Sequence, residues 1–254
     1  MKSITLTVTT GRSGTQLLHS LLMKVPDMSG DHEDERYPSF ATVRRQNIIN
    51  PSIGEEYVKN FLNYIDELPG SHYSLTDLSS SKGALEHYIN LGIKPNIIIL
   101  RRDPRLVAES HFSLDVIPYR SPYWREWYPS PDEPGVLPFE NYNKAHSYQY
   151  CYWYCCDSER RAQYYKEFMR DCKIWETTTD ELLNLNHFND MLDHFALPNV
   201  DSVKTEVVDK WKSHQWTKRE KPPRDFLHSL ELDVLNRIPV DFKENLLSKG
   251  WGKL

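Results

Sequence analysis

The chain has 254 residues, 39% of them hydrophobic, which is enough apolar material for one large core. Its net charge of −5 and isoelectric point near 6.1 exclude a nucleic-acid binder working by bulk electrostatics, while leaving room for a local basic pocket. No apolar run reaches membrane-spanning length, and the opening "MKSITLTVTTGRSG" reads as neither a signal peptide nor an anchor.

The first predicted strand, Ile4–Val8, runs into "TTGRSGTQLL". A helix is expected from near Ser13, with Leu17, Leu18, Leu21 and Leu22 on one apolar face. Residues 55–68, "EEYVKNFLNYIDEL", form a second amphipathic helix stopped by Pro69-Gly70. A strand at His72–Thr76 and a helix within "SKGALEHYINLGIKP", ending at Gly92, follow. The strand Asn96–Leu100 leads to a helix capped by Asp103, with Pro104 at its first position. Pro118–Phe139 breaks the rhythm with prolines and bulky aromatics and reads as an ordered excursion over one sheet edge. A long helix from about Tyr142 to Met169 and a strand at Lys173–Thr177 come next. The tail after Asp209, "KWKSHQWTKREKPPRD", is basic within an acidic chain.

Three of the four strands precede helices, which predicts βα units. The expected fold is a single α/β domain over 1–254: three α/β/α layers around a mostly parallel sheet, like that of P-loop NTPases, with helical and loop excursions. Cys151, Cys155 and Cys156 share helical spacing in "CYWYCC", and Cys172 stands apart. No second Cys or His pair completes a zinc pattern, so buried free thiols are expected, in keeping with a reducing cytoplasm.

In "VTTGRSGTQLL", Gly11 and Gly14 permit a tight strand-to-helix turn that aims main-chain N–H groups of residues 11–16 at one anion. Ser13, Thr15 and Gln16 add side-chain donors. A Walker A loop would end in Gly-Lys-Ser/Thr, whereas here Thr15 and Gln16 follow Gly14 and the positive charge sits earlier, at Arg12. The loop therefore suits a phosphate-like group held without the chemistry of a magnesium–triphosphate complex; the plainer alternative is an ordinary β–α turn. A second basic element, "RRDPRLVAES", follows another strand. There Arg101, Arg102 and Arg105 crowd a helix N-terminus against its dipole, and a docked anion would explain them as a solvated basic helix start would not.

Together the two stretches resemble the sulfotransferases that use 3′-phosphoadenosine 5′-phosphosulfate (PAPS). "GRSGTQLL" is similar to that family's 5′-phosphosulfate loop, and "RDPRLVAES" to its 3′-phosphate element, an Arg followed eight positions later by a Ser. "KIWETTTDELL" loosely resembles the family's late strand-plus-acidic segment. The resemblance covers residues 4–22 and 94–113. It implies that Gly11, Arg12, Ser13, Gly14, Thr15 and Gln16 hold the phosphosulfate, that Arg102 and Ser110 hold the 3′-phosphate, and that no metal is needed. The residues agree in chemistry, since a guanidinium at Arg12 can stabilise charge on the departing phosphate bidentately. Two departures stand out. Gln16 and Leu17 occupy the places where many members carry Thr-Trp, so adenine needs another partner, for which Trp211, Trp216 and Trp251 are candidates. The usual basic-glycine segment has two possible substitutes, "KREKPPR" and "SKGWGKL".

The acceptor must lose a proton as sulfur is attacked, so a base should face the loop. By resemblance to bacterial-type members, Glu33 in "SGDHEDERYP" is preferred, with His32 and Asp77 behind it; a solvated acidic loop is the alternative. The acceptor is expected to be a small molecule or glycan contacted by the aromatic flap at Tyr119–Tyr128, while the aromatics of "YQYCYWYCC" read as core. The competing functions are a phosphotransferase with a degenerate Walker A loop and a non-catalytic nucleotide-binding protein.

Overall fold

The computed structural model describes residues 2–32, 50, 52–78, 80–114, 128–203 and 222–253. Among these residues the sheet has five strands, β1 (Ser3–Val8), β2 (Met28–Asp31), β3 (His72–Leu75), β4 (Asn96–Arg101) and β5 (Ile174–Thr178). They lie in the order β2-β3-β1-β4-β5, every neighbouring pair parallel. Ser3 pairs with His72, Thr5 with Asn96, and Ile97 with Ile174.

β4 is apolar on both faces, as a sheet covered on both sides favours, whereas β1 alternates Ile4, Leu6 and Val8 with the buried Thr5 and Thr7. Ile97 and Ile99 join Ile4, Leu6 and Val8 against helices α2 (Ser52–Glu67) and α3 (Leu85–Asn90) and the far end of α5 (Ser147–Phe168). Ile98 and Leu100 face the other way, onto α1 (Thr15–Leu22) and α6 (Leu185–Phe195). The result is a three-layer α/β/α fold with a wholly parallel sheet. Leu17, Leu18, Leu21 and Leu22 are all buried on α1, and each contributes roughly 1.5–3 kcal/mol of apolar burial. That burial anchors the helix whose N-terminus carries the glycine loop.

A third cluster lies beyond the sheet edge, where α4 (Pro104–Ser113), the first half of α5, α7 (Arg224–Asn236) and α8 (Val240–Ser248) meet. Here α5 is buried nearly all round. Tyr148, Tyr152, Trp153, Cys151, Cys155 and Cys156 are core residues, and burial raises the three thiols well above their usual range. The carboxylate of Asp157, fully buried on the same helix, is held by Arg161 Nε (2.9 Å), Arg160 and the Leu137 N–H (2.7 Å).

Several boundaries moved from their sequence-based positions. The helix expected from Ser13 starts at Thr15, because Gly14 takes a left-handed φ of 88° as its cap. The long helix starts at Ser147, preceded by a 3₁₀ turn at Tyr142–Lys144, with His146 and Gln149 forming a reciprocal cap. Of "SKGALEHYINLGIKP" only Leu85–Asn90 is α-helical, after a 3₁₀ turn at Ser80–Lys82. Asp103 caps α4 as expected, accepting from the Arg105 N–H at 2.9 Å.

Candidate active site

The glycine loop leaves β1 at Thr9 and closes onto α1. Gly11, Arg12 and Gly14 all have left-handed backbone, with φ of 70°, 55° and 88°. For Arg12 that conformation costs roughly 1–2 kcal/mol, strain of the kind stored where a backbone is shaped around a ligand. The glycines are also needed for space. A Cβ on Gly11 would stand 2.8 Å from Leu78 Cδ2, and one on Gly14 would stand 2.8 Å from Thr179 Cγ2.

Hydrogen bonds fix the loop from within and from outside. The Thr10 and Ser13 hydroxyls lie 2.7 Å apart, each within reach of the Gly11 carbonyl. Thr179, just past β5, donates to the Ser13 carbonyl at 2.6 Å. Ser13 is therefore occupied in shaping the loop, and Gln16 is exposed on the first turn of α1.

The second basic element meets the first. Arg102 Nη1 donates to the Arg12 carbonyl at 3.0 Å, and Arg12 Nε donates to Ser110 Oγ at 3.1 Å. Burial, followed by the nearby Arg12 charge, lowers the Arg102 pKa from its ordinary value, against the pull of Asp180 and Asp103. Two guanidinium groups held together in a half-buried site favour an anion between them. The three arginines of the sequence motif separate in role. Arg101 turns to Glu159 (2.8 Å) and Glu176, and Arg105 to Asp103 and the Lys253 carbonyl (2.9 Å). The crowding of cations seen in the sequence is thus largely resolved by carboxylates, and Arg102 alone of the three joins the loop in a hydrogen bond.

Of the expected bases, His32 lies against the loop, its Nε2 2.9 Å from Thr15 Oγ1. Burial lowers the His32 pKa, opposed by the charge of Asp77. His19, one turn along α1 from Thr15, has its ring centroid 6.0 Å from that of His32, and burial and His32 lower its pKa in turn. Asp77 is buried just beyond β3. Asp31, at the end of β2, accepts from Tyr73 (2.7 Å) and Tyr64 (3.2 Å). Glu33, the flap at Tyr119–Trp127, Trp211 and Trp216 fall outside the described residues.

Three neighbours of the loop had no signal as site residues in the sequence, and Tyr128 marks the end of the aromatic flap expected there. Besides Thr179, His111 is buried on α4 next to Ser110, with Tyr128 OH 3.3 Å from its Nδ1. Burial, and then the Arg12 charge, push the His111 pKa down to about 3. Lys82 is buried in its 3₁₀ turn with Nζ 5.0 Å from the Tyr128 ring centroid. Of the segments considered for the basic-glycine role, "SKGWGKL" reaches the second basic element through the Lys253 carbonyl and Arg105, whereas Arg224 of "KREKPPR" is committed to Glu231 at 2.7 Å on both nitrogens.

The protein is thus a parallel three-layer α/β domain whose lysine-free glycine loop is tied to an Arg-and-Ser helix start. Among solved structures the chain is similar to the sulfotransferase domain of the olefin synthase from Synechococcus PCC 7002. The TM-score is 0.51 at 12% identity, over 97% of this chain and 94% of that one. At this identity the likeness concerns the fold. No family model and no curated protein matches the chain. Among the described residues, no helix is long and apolar enough to cross a membrane.

Proposed function

We propose that the protein is a sulfotransferase that moves a sulfuryl group from PAPS to a hydroxyl or amine of a small-molecule or glycan acceptor. The observation that carries this reading is the pair of hydrogen bonds joining Arg12 to Ser110 and Arg102 to the Arg12 carbonyl. They make one continuous site of two anion-binding elements. PAPS carries its phosphosulfate and its 3′-phosphate on a single ribose, so its binding requires such a pair.

In this reading the N–H groups of the loop and the Arg12 guanidinium hold the phosphosulfate, and Arg102 and Ser110 the 3′-phosphate. The acceptor oxygen attacks sulfur, and the bond from sulfur to the bridging oxygen breaks. Its electron pair stays on the 5′-phosphate, where Arg12 offsets the growing charge. The acceptor proton goes to a base at the loop. His32 fits this part because burial keeps it neutral near pH 7, ready to accept, and Asp77 favours its protonated form once it has done so. Glu33 adjoins it in sequence and stands as the second candidate. The products are a sulfate ester or sulfamate and 3′,5′-adenosine bisphosphate.

Thermal unfolding with 3′,5′-adenosine bisphosphate, set against ATP with magnesium, tests the donor. The bisphosphate should raise the melting temperature by mass action. A rise with ATP–magnesium alone would overturn the proposal in favour of a phosphotransferase. Sulfate transfer from PAPS across a panel of phenols, sugars and amines then tests turnover.

A further inference from the structure

Thr15, His19 and Met23 follow one another at i, i+4 spacing along α1 to its C-cap, and the row lies over β2. Met23 Cε packs so close to the strand that a Cβ on Gly30 would stand 2.7 Å from it. Thr15 Oγ1 lies 2.9 Å from His32 Nε2. Between these two contacts the His19 ring faces that of His32, with centroids 6.0 Å apart and planes tilted by 53°. A helix packed on a strand asks only for an apolar side chain here, as Met23 supplies. An imidazole at position 19 needs another reason.

Both rings are half-buried, and His19 Nδ1 has no hydrogen-bond partner among the described residues. Burial keeps the two imidazoles neutral near pH 7. Two carboxylates act on them among the described residues. Asp31, at the end of β2, favours a proton on His19, and Asp77, beyond β3, favours one on His32. Asp31 is itself fixed by the hydroxyls of Tyr64 on α2 and Tyr73 on β3. A single proton on either ring therefore has a carboxylate to meet it. Two protons would set like charges 6.0 Å apart where much of the water is excluded. Groups so placed lose their protons in two steps that belong to the pair.

We infer that His19 is a positioning residue for His32: the seam between α1 and β2 holds one proton and not two, and His32 keeps its place against Thr15 only while His19 is neutral. The pairing stands whether or not the protein binds PAPS. Its effect on transfer rests on the reading of His32 as the base. There a neutral His19 lets His32 take the acceptor proton, whereas a charged one makes His32 a weaker base and presses its ring away from the loop.

Histidine ring signals of the full chain, followed by proton–carbon NMR across pH, test the pair. His19→Gln and His32→Gln identify the two rings by the signal that each removes. His32→Gln should raise the pH at which His19 titrates by roughly 0.5–2 pH units, the effect of losing a unit charge at the observed ring separation. His19→Lys fixes a charge where His19→Gln leaves none, so His32 should titrate lower in the lysine variant by a similar margin. Both variants lose the imidazole, so a merely structural role for His19 would move His32 alike in the two. An unmoved His19 in His32→Gln, or equal His32 titration in the lysine and glutamine variants, overturns the inference. In sulfate transfer from PAPS, the acid limb of kcat/KM should follow the His32 signal and lie at lower pH in His19→Lys than in His19→Gln. A limb that ignores the movement of that signal would keep the pair and reject His32 as the base. Coupled titration in a protein that never binds 3′,5′-adenosine bisphosphate would keep the pair and reject the donor reading.

Discussion

Arg12 Nε donates to Ser110 Oγ at 3.1 Å, joining side chains 98 positions apart in the sequence. The bond ties the strained glycine loop after β1 to the helix that starts after β4. Since β1 and β4 are parallel neighbours, their C-terminal ends bring the two elements together. Residues that look like two separate basic motifs in the sequence thus meet at the carboxyl ends of the central strands, where open α/β sheets bind ligands.

If that site holds the donor, its cations should dominate affinity for 3′,5′-adenosine bisphosphate. Hydrogen bonds to charged groups contribute about 1.5–3 kcal/mol, so Arg12→Ala and Arg102→Ala should each weaken binding roughly ten- to hundredfold. Ser110→Ala removes a neutral hydroxyl and should cost less, roughly three- to tenfold. Calorimetric titration gives these ratios. Parental affinity in both arginine variants would remove them from the site.

The loop's geometry has a separate test in stability. Gly14→Ala imposes a left-handed backbone on a residue with a Cβ and drives that atom into Thr179 Cγ2, for a loss of about 2 kcal/mol or more in urea unfolding. Thr179→Ser keeps the hydroxyl that bonds the Ser13 carbonyl but removes the methyl. In that background Gly14→Ala should cost about 1 kcal/mol less, a coupling that a double-mutant cycle reads directly. Equal costs in the two backgrounds would mean that the clash is not what excludes alanine.

How much of this the sequence showed depends on how local the signal was. β1, β4 and the glycine turn announce themselves, because β4 is a continuous apolar run, β1 alternates Ile4, Leu6 and Val8 with threonines, and the turn follows β1 directly. β2 did not. "MSGD" is four half-buried residues on the sheet edge, with neither alternation nor an apolar run. Thr179 and Lys82 reach the site only through tertiary packing, and a lone Thr or Lys carries no local mark of it. The arginine cluster misled in part, since Glu159, Glu176 and Asp103 neutralise two of its members and two of these acids lie far along the chain. His32 was legible only as one of four adjacent polar residues. Its contact with Thr15 is tertiary and has no mark in the sequence.

The pH dependence of transfer distinguishes the two bases. A neutral His32 accepts a proton and a charged one does not, so kcat/KM with the best acceptor of the panel should fall as pH drops through a pKa below 6.5. His32→Gln should abolish that acid limb and lower kcat roughly a hundredfold or more. If Glu33 is the base, the limb persists in His32→Gln and disappears in Glu33→Gln.

Stability should carry the mark of another histidine. His111 is buried and neutral, with its pKa near 3, whereas in the unfolded chain it titrates at the ordinary value of about 6.5. Below that value the unfolded state binds the extra proton, so the contribution is intact above about pH 6.5 and is lost as pH falls towards 3. The slope is at most about 1.4 kcal/mol per pH unit. The difference in unfolding free energy between the parent and His111→Gln, taken at each pH, isolates this group from the carboxylates. A flat difference between pH 6.5 and 4 would show that His111 is protonated in the folded protein.

The buried ion cluster on α5 sets the cost of disturbing the frame beneath the site. Asp157 accepts from Arg161 Nε and from the Leu137 N–H, and Arg161 is itself only 10% exposed. Asp157→Ala leaves that guanidinium buried without its nearest carboxylate and the Leu137 N–H without its acceptor. Truncating one partner of a buried pair costs about 3–5 kcal/mol. Asp157→Asn keeps an acceptor for the Leu137 N–H while losing the charge, so it should fall between parent and alanine. Thermal and urea unfolding of the three proteins should give that order, and equal losses for both variants would assign the effect to charge alone.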